Sequence, residues 1–167
     1  MSTNIICFHN PDEPNGWLSN WHLSEFEVGG VKYTSLEQYM MHCKALMFGD
    51  TATASKIMAT ADVAAIKKLG RSVSPFDAVS WSTLGLLYVT DGLYAKYSQN
   101  PQLLRCLLGT GEALLVECAV RDHIWACGRS MNDPRRFNPT EWDGKNQLGY
   151  ATMYVRAKLR AAGYSLP

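Results

Sequence analysis

The chain has 167 residues, 47% hydrophobic and 19% charged, which excludes a disordered or fibrous protein and predicts one domain, 1–167, around a single core. A formal net charge of +1 excludes global attraction to nucleic acid or to a membrane surface, leaving only a local basic pocket for an anion. No apolar run approaches the roughly 18–20 residues of a membrane span, and MSTNIICFHN has no basic start ahead of an apolar stretch, so the expected location is the cytoplasm.

Ile5, Ile6 and Phe8 predict a first strand, and Pro11, Pro14, Asn15 and Gly16 a turn. Phe26-Glu27-Val28, Gly29-Gly30 and Val31-Lys32-Tyr33 predict a hairpin. Thr34 or Ser35 caps the next helix, with Glu37 or Gln38 at capping-box spacing and an apolar stripe of Leu36, Tyr39, Met40, Cys43 and Met47. Gly49-Asp50 ends it. Further helices are predicted over 53–58 and 61–69, with Gly70 as a C-terminal stop. A longer helix is predicted over 82–97, burying Leu84, Leu87, Tyr88, Leu93 and Tyr94, and a short one over 102–108. Residues 113–119 predict a strand. Residues 122–146 are polar, punctuated by Gly and Pro, and too long for an idle connection. A last helix is predicted over 147–161, with Leu148, Met153, Tyr154 and Leu159 on its apolar side. The sum is an α+β domain, mostly helical, with a small antiparallel sheet.

Five cysteines in a chain expected in the cytoplasm predict free thiols. Cys118, His123 and Cys127 lie close in sequence but lack a metal-site spacing and a fourth ligand, so they are read as structural. No metal and no cofactor is expected.

Glu37 and Lys44 are seven residues apart, about 10.5 Å of helical rise, and point the same way beside Met41 and Phe48. The bland reading gives Glu37 to the cap and lays Lys44 along the surface. The functional reading makes them a cleft wall carrying an acid/base and a nucleophile or anion anchor. Ser19 and Asn20 between Trp17 and Trp21, Arg71 after a helix end, Trp81, and Asp122 with Trp125 each carry a structural and a ligand-contacting reading.

Taken in order, Phe8, LSNW at 18–21, Phe26, Tyr33-Thr34-Ser35 with Glu37-Gln38-Tyr39, Lys44-Ala45, Phe48, Leu69-Gly70-Arg71, Trp81, Lys96-Tyr97, Leu107-Leu108, Thr110-Gly111, Leu115-Val116-Glu117, Asp122, Trp125, Gly144-Lys145-Asn146, Leu148-Gly149 and Arg156 resemble the NADAR (YbiA-like) family over nearly the whole chain. The resemblance implies an N-glycosidase. Some members of that family cleave phosphoribosylamino-pyrimidine intermediates of the riboflavin pathway. Others remove ADP-ribose from guanine bases of nucleic acid.

It further implies Glu37, Lys44 and Asp122 as catalytic residues and Phe8, Ser19, Asn20, Arg71, Trp81, Trp125 and Asn146 as substrate contacts. The segment between Gly128 and Gly144 looks longer than in the bacterial riboflavin-pathway members. With Arg135 and Arg136 it favours a larger anion: the second phosphate of ADP-ribose, or the backbone of ADP-ribosylated DNA or RNA. A mechanism consistent with both substrate classes gives Lys44 a Schiff base at the sugar and Glu37 a proton transfer. The alternative is direct attack by water activated by Glu37 or Asp122. A non-catalytic ADP-ribose or nucleotide reader is the competing class.

Overall fold

A computed structural model describes residues 4–165. Its contacts divide the chain into two compact units, one Leu23–Asn100, the other the chain up to His22 together with the chain from Pro101 onward.

In the continuous unit, β2 (Leu23–Val28) and β3 (Val31–Ser35) form the predicted antiparallel hairpin. Gly29 and Gly30 both take positive φ (59° and 81°), the backbone that a two-residue turn between twisted strands demands. Phe26 pairs with Tyr33 across the hairpin, and Tyr39 meets both rings edge-on at 6.0 and 5.0 Å. Four helices follow: α1 (Leu36–Met47), α2 (Thr51–Met58), α3 (Val63–Arg71) and α4 (Ala78–Gln99). Ser35 caps α1 by accepting from the Gln38 N–H at 3.2 Å, and the Gln38 side chain reaches back to the Thr34 N–H at 2.8 Å, closing the cap one residue upstream of a standard box.

Aspartates set the next three starts. Asp50, Asp62 and Asp77 accept from the first-turn amides of α2, α3 and α4, so α2 and α4 begin earlier, and α3 slightly later, than apolar periodicity predicts. The large buried side chains of α4, Val89, Leu93 and Tyr97, lie in its C-terminal half, and the helix packs on α1 and β2. Leu84 and Leu87, predicted to be buried, are 39% and 62% exposed because they precede that packed half.

Gly70 is not a stop. It lies inside α3, fully against α1, and a Cβ there would fall 1.9 Å from Met41 Sδ. Gly92 plays the same part in α4, where a Cβ would come within 2.5–2.7 Å of Tyr39 and Leu36.

In the discontinuous unit, β1 (Ile5–Phe8) pairs in parallel with β4 (Leu114–Glu117). This parallel ladder adds to the predicted antiparallel sheet. α5 (Pro101–Gly109) leads into β4, and α6 (Gln147–Ala161) packs on it around Phe8, Leu107, Leu115, Leu148, Val155 and Leu159, all fully buried. The buried side of α6 runs through Leu148, Thr152, Val155 and Leu159, at helical spacing, and Tyr154, off that stripe, is 59% exposed instead of buried as predicted. The segment from Asp122 to Asn146 contains only two short 3-10 turns, Pro134–Phe137 and Pro139–Glu141. Its ends are zipped together: the amides of Gly144, Lys145, Asn146 and Gln147 donate to the carbonyls of Cys127, His123, Ala126 and Ile124. Among the described residues, six α-helices, one hairpin and one parallel pair make an α+β fold, mostly helical, and no helix is long and apolar enough to cross a membrane.

Candidate active site

The residues singled out from the sequence fall into two sets, one in each unit. The first is built on α1 and α3. Glu37 sits in the first turn of α1, 1% exposed, where the helix N-terminus favours a carboxylate. Lys67 of α3 places its ammonium 3.3 Å from Glu37 Oε1. Two turns along α1, Lys44 donates from Nζ to the Gly70 carbonyl at 2.8 Å. The close approach of α1 and α3 at Gly70, where a Cβ would hit Met41, brings that carbonyl within reach. The Lys44 ammonium also lies 4.1 Å from the centre of the Phe76 ring and 6.0 Å from that of Trp81. Phe76 is held edge-on by Phe48 and Trp81 is stacked on Tyr88.

Burial pushes the Lys44 pKa below its ordinary value, the neighbouring Lys67 charge pushes the same way, and Glu37 pulls against both. The rings and the carbonyl hold a cation in place, so Lys44 is a seated ammonium whose proton leaves more readily than that of a solvated lysine. Arg71, the last residue of α3, is exposed next to Gly70. Lys67, Gly70 and Arg71 share one face of α3 by their spacing. Lys67 and Phe76 are the members that sequence reasoning missed. The i, i+4 pairing of Lys67 with Arg71 is the one signal in the sequence that pointed to the first. Phe48, expected beside Lys44, also supports Phe76, and Met41 also fills the space at Gly70.

The second set carries a different chemistry. Phe8 is a fully buried core ring whose carbonyl accepts from the Cys118 amide at 2.8 Å. Ser19 Oγ accepts from the Trp21 amide at 3.2 Å, which shapes the LSNW turn. Asn20 is 6% exposed, and its buried Oδ1 has no hydrogen-bond partner among the described residues. Such an oxygen costs about 1–3 kcal/mol until a donor meets it. Asp122 Oδ1 accepts from the amides of Ile124 and Trp125, at 3.0 and 2.8 Å, so the carboxylate caps the turn at the head of the long segment. Trp125 is half-buried, and its carbonyl accepts from the Leu148 amide.

Asn146 is fully buried and left-handed (φ 49°). Its Nδ2 donates to the Leu115 carbonyl at 2.9 Å and its Oδ1 accepts from the Glu117 amide at 3.0 Å. Both ends of that amide brace β4. The loop arginines are also engaged: Arg135 grips Asp133 with two nitrogens at 3.0 and 2.7 Å, and Arg129 pairs with Asp143 at 3.0 Å. The Arg136 guanidinium covers the Phe137 ring at 4.2 Å. Among the described residues no group of three or more His, Cys, Asp or Glu side chains is arranged to hold a metal ion.

The NADAR domain model matches residues 7–160, and the chain belongs to that family. It is 41% identical over 126 residues to the N-glycosidase R617 of Acanthamoeba polyphaga mimivirus, covering 75% of this chain and 74% of that protein. It is 27% identical to the N-glycosidase YbiA of Escherichia coli strain K12, over 95% of this chain and 91% of that one. A riboflavin biosynthesis protein of Vibrio vulnificus is 28% identical over 96% of this chain, which spans only 40% of that relative. The NMR structure of E. coli YbiA superposes with a TM-score of 0.79 at 26% identity, covering all of this chain and 91% of that one.

Proposed function

We propose that this protein is an N-glycosidase that breaks the bond between ribose C1 and an exocyclic amine, and that it removes ADP-ribose from guanine bases of nucleic acid. The observation that carries the chemistry is the seat of Lys44: a lysine with its proton loosened by burial and by Lys67, fixed by the Gly70 carbonyl and two rings. The names of the mimivirus and E. coli relatives support the reaction class. The family match and the structural neighbour both run across the two units, which supports reading residues 1–167 as one NADAR domain.

In the proposed reaction the substrate aminal opens its sugar ring to an imine. Neutral Lys44 adds through Nζ to C1, the C1–N bond to the base breaks, and the base amine leaves with a proton supplied through Glu37. Water then adds to C1, the Lys44–C1 bond breaks, and the free sugar departs. An ionised Glu37 alone would keep Lys44 protonated. Lys67 relieves that conflict by pairing with Glu37 and repelling the Lys44 proton. Arg71 and Trp81 are the further contacts proposed in the continuous unit, and Asp122, as a catalytic residue, with Phe8, Ser19, Asn20, Trp125 and Asn146, as contacts, those in the discontinuous unit. The unpartnered Asn20 oxygen supports a donor contact there, and the engaged amide of Asn146 supports a bracing role.

The length of the Gly128–Gly144 segment favours ADP-ribose. The name of the Vibrio relative favours a second reading, a phosphoribosylamino-pyrimidine substrate.

Incubation with a guanine-ADP-ribosylated oligonucleotide, with Glu37→Gln and Lys44→Ala as controls, tests the proposal. Wild-type protein is expected to release free ADP-ribose and the variants are not. Release from phosphoribosylamino-pyrimidines alone would select the second reading. Binding of ADP-ribose without turnover of either substrate would make the protein a reader. Borohydride under turnover is expected to trap a mass adduct on Lys44, and repeated failure to trap one would leave direct water attack.

A further inference from the structure

Three of the five cysteines converge in the discontinuous unit. Cys7 in β1 stands opposite Val116 in β4. Cys118 follows two residues later, so the period-two alternation returns its side chain to the same face as Val116 and Cys7. Main-chain bonds fix both newcomers: the Cys118 amide donates to the Phe8 carbonyl at 2.8 Å and the Cys127 amide to the Glu117 carbonyl at 2.9 Å. The three thiols and Val116 form one buried cluster walled by Ile5, Leu114, Met131 and Trp142. Within it the Cys118 thiol approaches the Val116 carbonyl at 3.8 Å and the Cys127 thiol the Arg129 carbonyl at 3.9 Å.

Apolar packing does not require three thiols in one cluster, and it does not require a cation beside them. Arg136 lines the same groove as Cys7, its charge acts on the Cys7 thiol, and its buried Nε has no hydrogen-bond partner among the described residues. A groove of about 480 Å³ on this unit is lined by Cys7, Asn15, Met131, Arg136 and Phe137, and neither Cys118 nor Cys127 borders it. Cys7 is 7% exposed against 1% and 0% for the other two. The hydrogen bond from Cys118 and the Arg136 charge hold the Cys7 thiol below its ordinary pKa, while serving two sulfur acceptors pushes Cys118 up. Thiols that react with oxidants lie in such electropositive, partly open surroundings beside a second thiol.

We propose that Cys7 and Cys118 form an oxidisable thiol pair whose substrate is a small hydroperoxide entering along the Arg136 groove. The Cys7 thiolate attacks the peroxide: an S–O bond forms, the O–O bond breaks, and the alcohol or water leaves with a proton. Cys118 sulfur then attacks Cys7 sulfur, the S–S bond forms, and the sulfenic oxygen departs as water carrying the Cys118 proton. Two thiols and one hydroperoxide give one disulfide, one water and one alcohol or second water. The two electrons come from the sulfurs. Arg136 holds the thiolate and the departing oxyanion. The assignment does not depend on the N-glycosidase reading.

The test uses the full chain carrying Cys43→Ser and Cys106→Ser, so that only the cluster thiols remain. After stoichiometric hydrogen peroxide, alkylation under denaturing conditions is expected to find one free thiol in place of three. The intact mass should fall by two hydrogens and a Cys7–Cys118 peptide should be recovered. In the same background Cys118→Ser is expected to leave a dimedone-reactive sulfenic acid on Cys7, and Arg136→Gln to slow oxidation severalfold with native circular dichroism. Three free thiols at a peroxide dose that oxidises glutathione would overturn the proposal. A Cys118–Cys127 disulfide, or the same bond forming in Cys7→Ala, would remove Cys7 as the point of entry. The Cys7→Ala variant keeps the test open if Cys118→Ser does not fold.

Discussion

The two units put their candidate site residues to opposite uses. In Leu23–Asn100, Glu37 and Lys44 project from a helix whose backbone is already satisfied, and their polar atoms meet Lys67, a single carbonyl and aromatic faces. In the discontinuous unit, Asp122 and Asn146 spend their polar atoms on main-chain amides and carbonyls of a turn and of β4. Lys44, on a regular element, keeps its ammonium on one carbonyl and aromatic faces, not on the backbone of a turn or strand. Polar side chains on an irregular segment are first of all its backbone partners. The difference determines how mutational data should be read: at Lys44 loss of activity bears directly on a role, and at Asp122 and Asn146 only when stability is measured beside it.

Lys44→Ala is the strongest test of the first half. Activity is expected to fall at least about a hundredfold, the scale of a lost acid/base or nucleophilic group. The urea midpoint should stay close to wild type, because the stem is half-buried and the partner carbonyl of Gly70 lies at the edge of α3. A large stability loss would erase the contrast between the units. Asn146→Ala makes the opposite test. It leaves the Leu115 carbonyl and the Glu117 amide without their partners, and about 2–3 kcal/mol should disappear from the unfolding free energy. Residual activity should track the folded fraction. Full stability with lost activity would turn Asn146 back into a ligand contact.

Much of this was legible before any coordinates. The hairpin was readable because Gly29-Gly30 admits one kind of turn, and α6 begins and ends where its pattern predicts. The pairing of β1 with β4 was not, since four-residue apolar runs carry no mark of a distant partner. Helix starts were misplaced where apolar periodicity was followed and Asp50, Asp62 and Asp77 were not. Glu37 and Lys44 stood out as charges beside an apolar stripe. Lys67 and Phe76 did not, because their meaning depends on α3 and the segment ahead of α4 being brought to α1. Gly70 read as a helix stop for the same reason: its neighbour Met41 is far away in sequence.

That contact yields a middle-sized effect. Gly70→Ala places a methyl where Met41 Sδ lies, and overpacking of this kind costs about 1–3 kcal/mol. Thermal unfolding should show most of the loss restored by a second change, Met41→Ala, if the clash is local. No rescue would place the strain in the α3 backbone. Asp122→Asn is smaller still in stability, within about 0.5 kcal/mol, because an amide oxygen can accept from Ile124 and Trp125 as the carboxylate does. Its kcat therefore isolates the charge. A large fall would give Asp122 a catalytic role, and an unchanged rate would leave it a cap.

The smallest effect is a displacement of a pH profile, set by Lys67. Lys44 acts as a neutral amine in the proposed reaction, so the rate should rise with pH as its ammonium loses a proton. Burial and the Lys67 charge both lower the pKa at which this happens, and Glu37 raises it. Lys67→Gln removes one lowering influence and also leaves Glu37 without its 3.3 Å counter-charge, which strengthens the raising one. Both changes have the same sign. The rising limb of kcat/KM against pH should therefore move to higher pH in Lys67→Gln, while Lys67→Arg, which keeps the charge, should hold it near the wild-type position. Stability measured at each pH separates this from unfolding around a buried carboxylate. A limb that stays in place in both variants would mean that the titrating group is not Lys44, and would favour the reaction in which water, activated by a carboxylate, attacks the sugar directly.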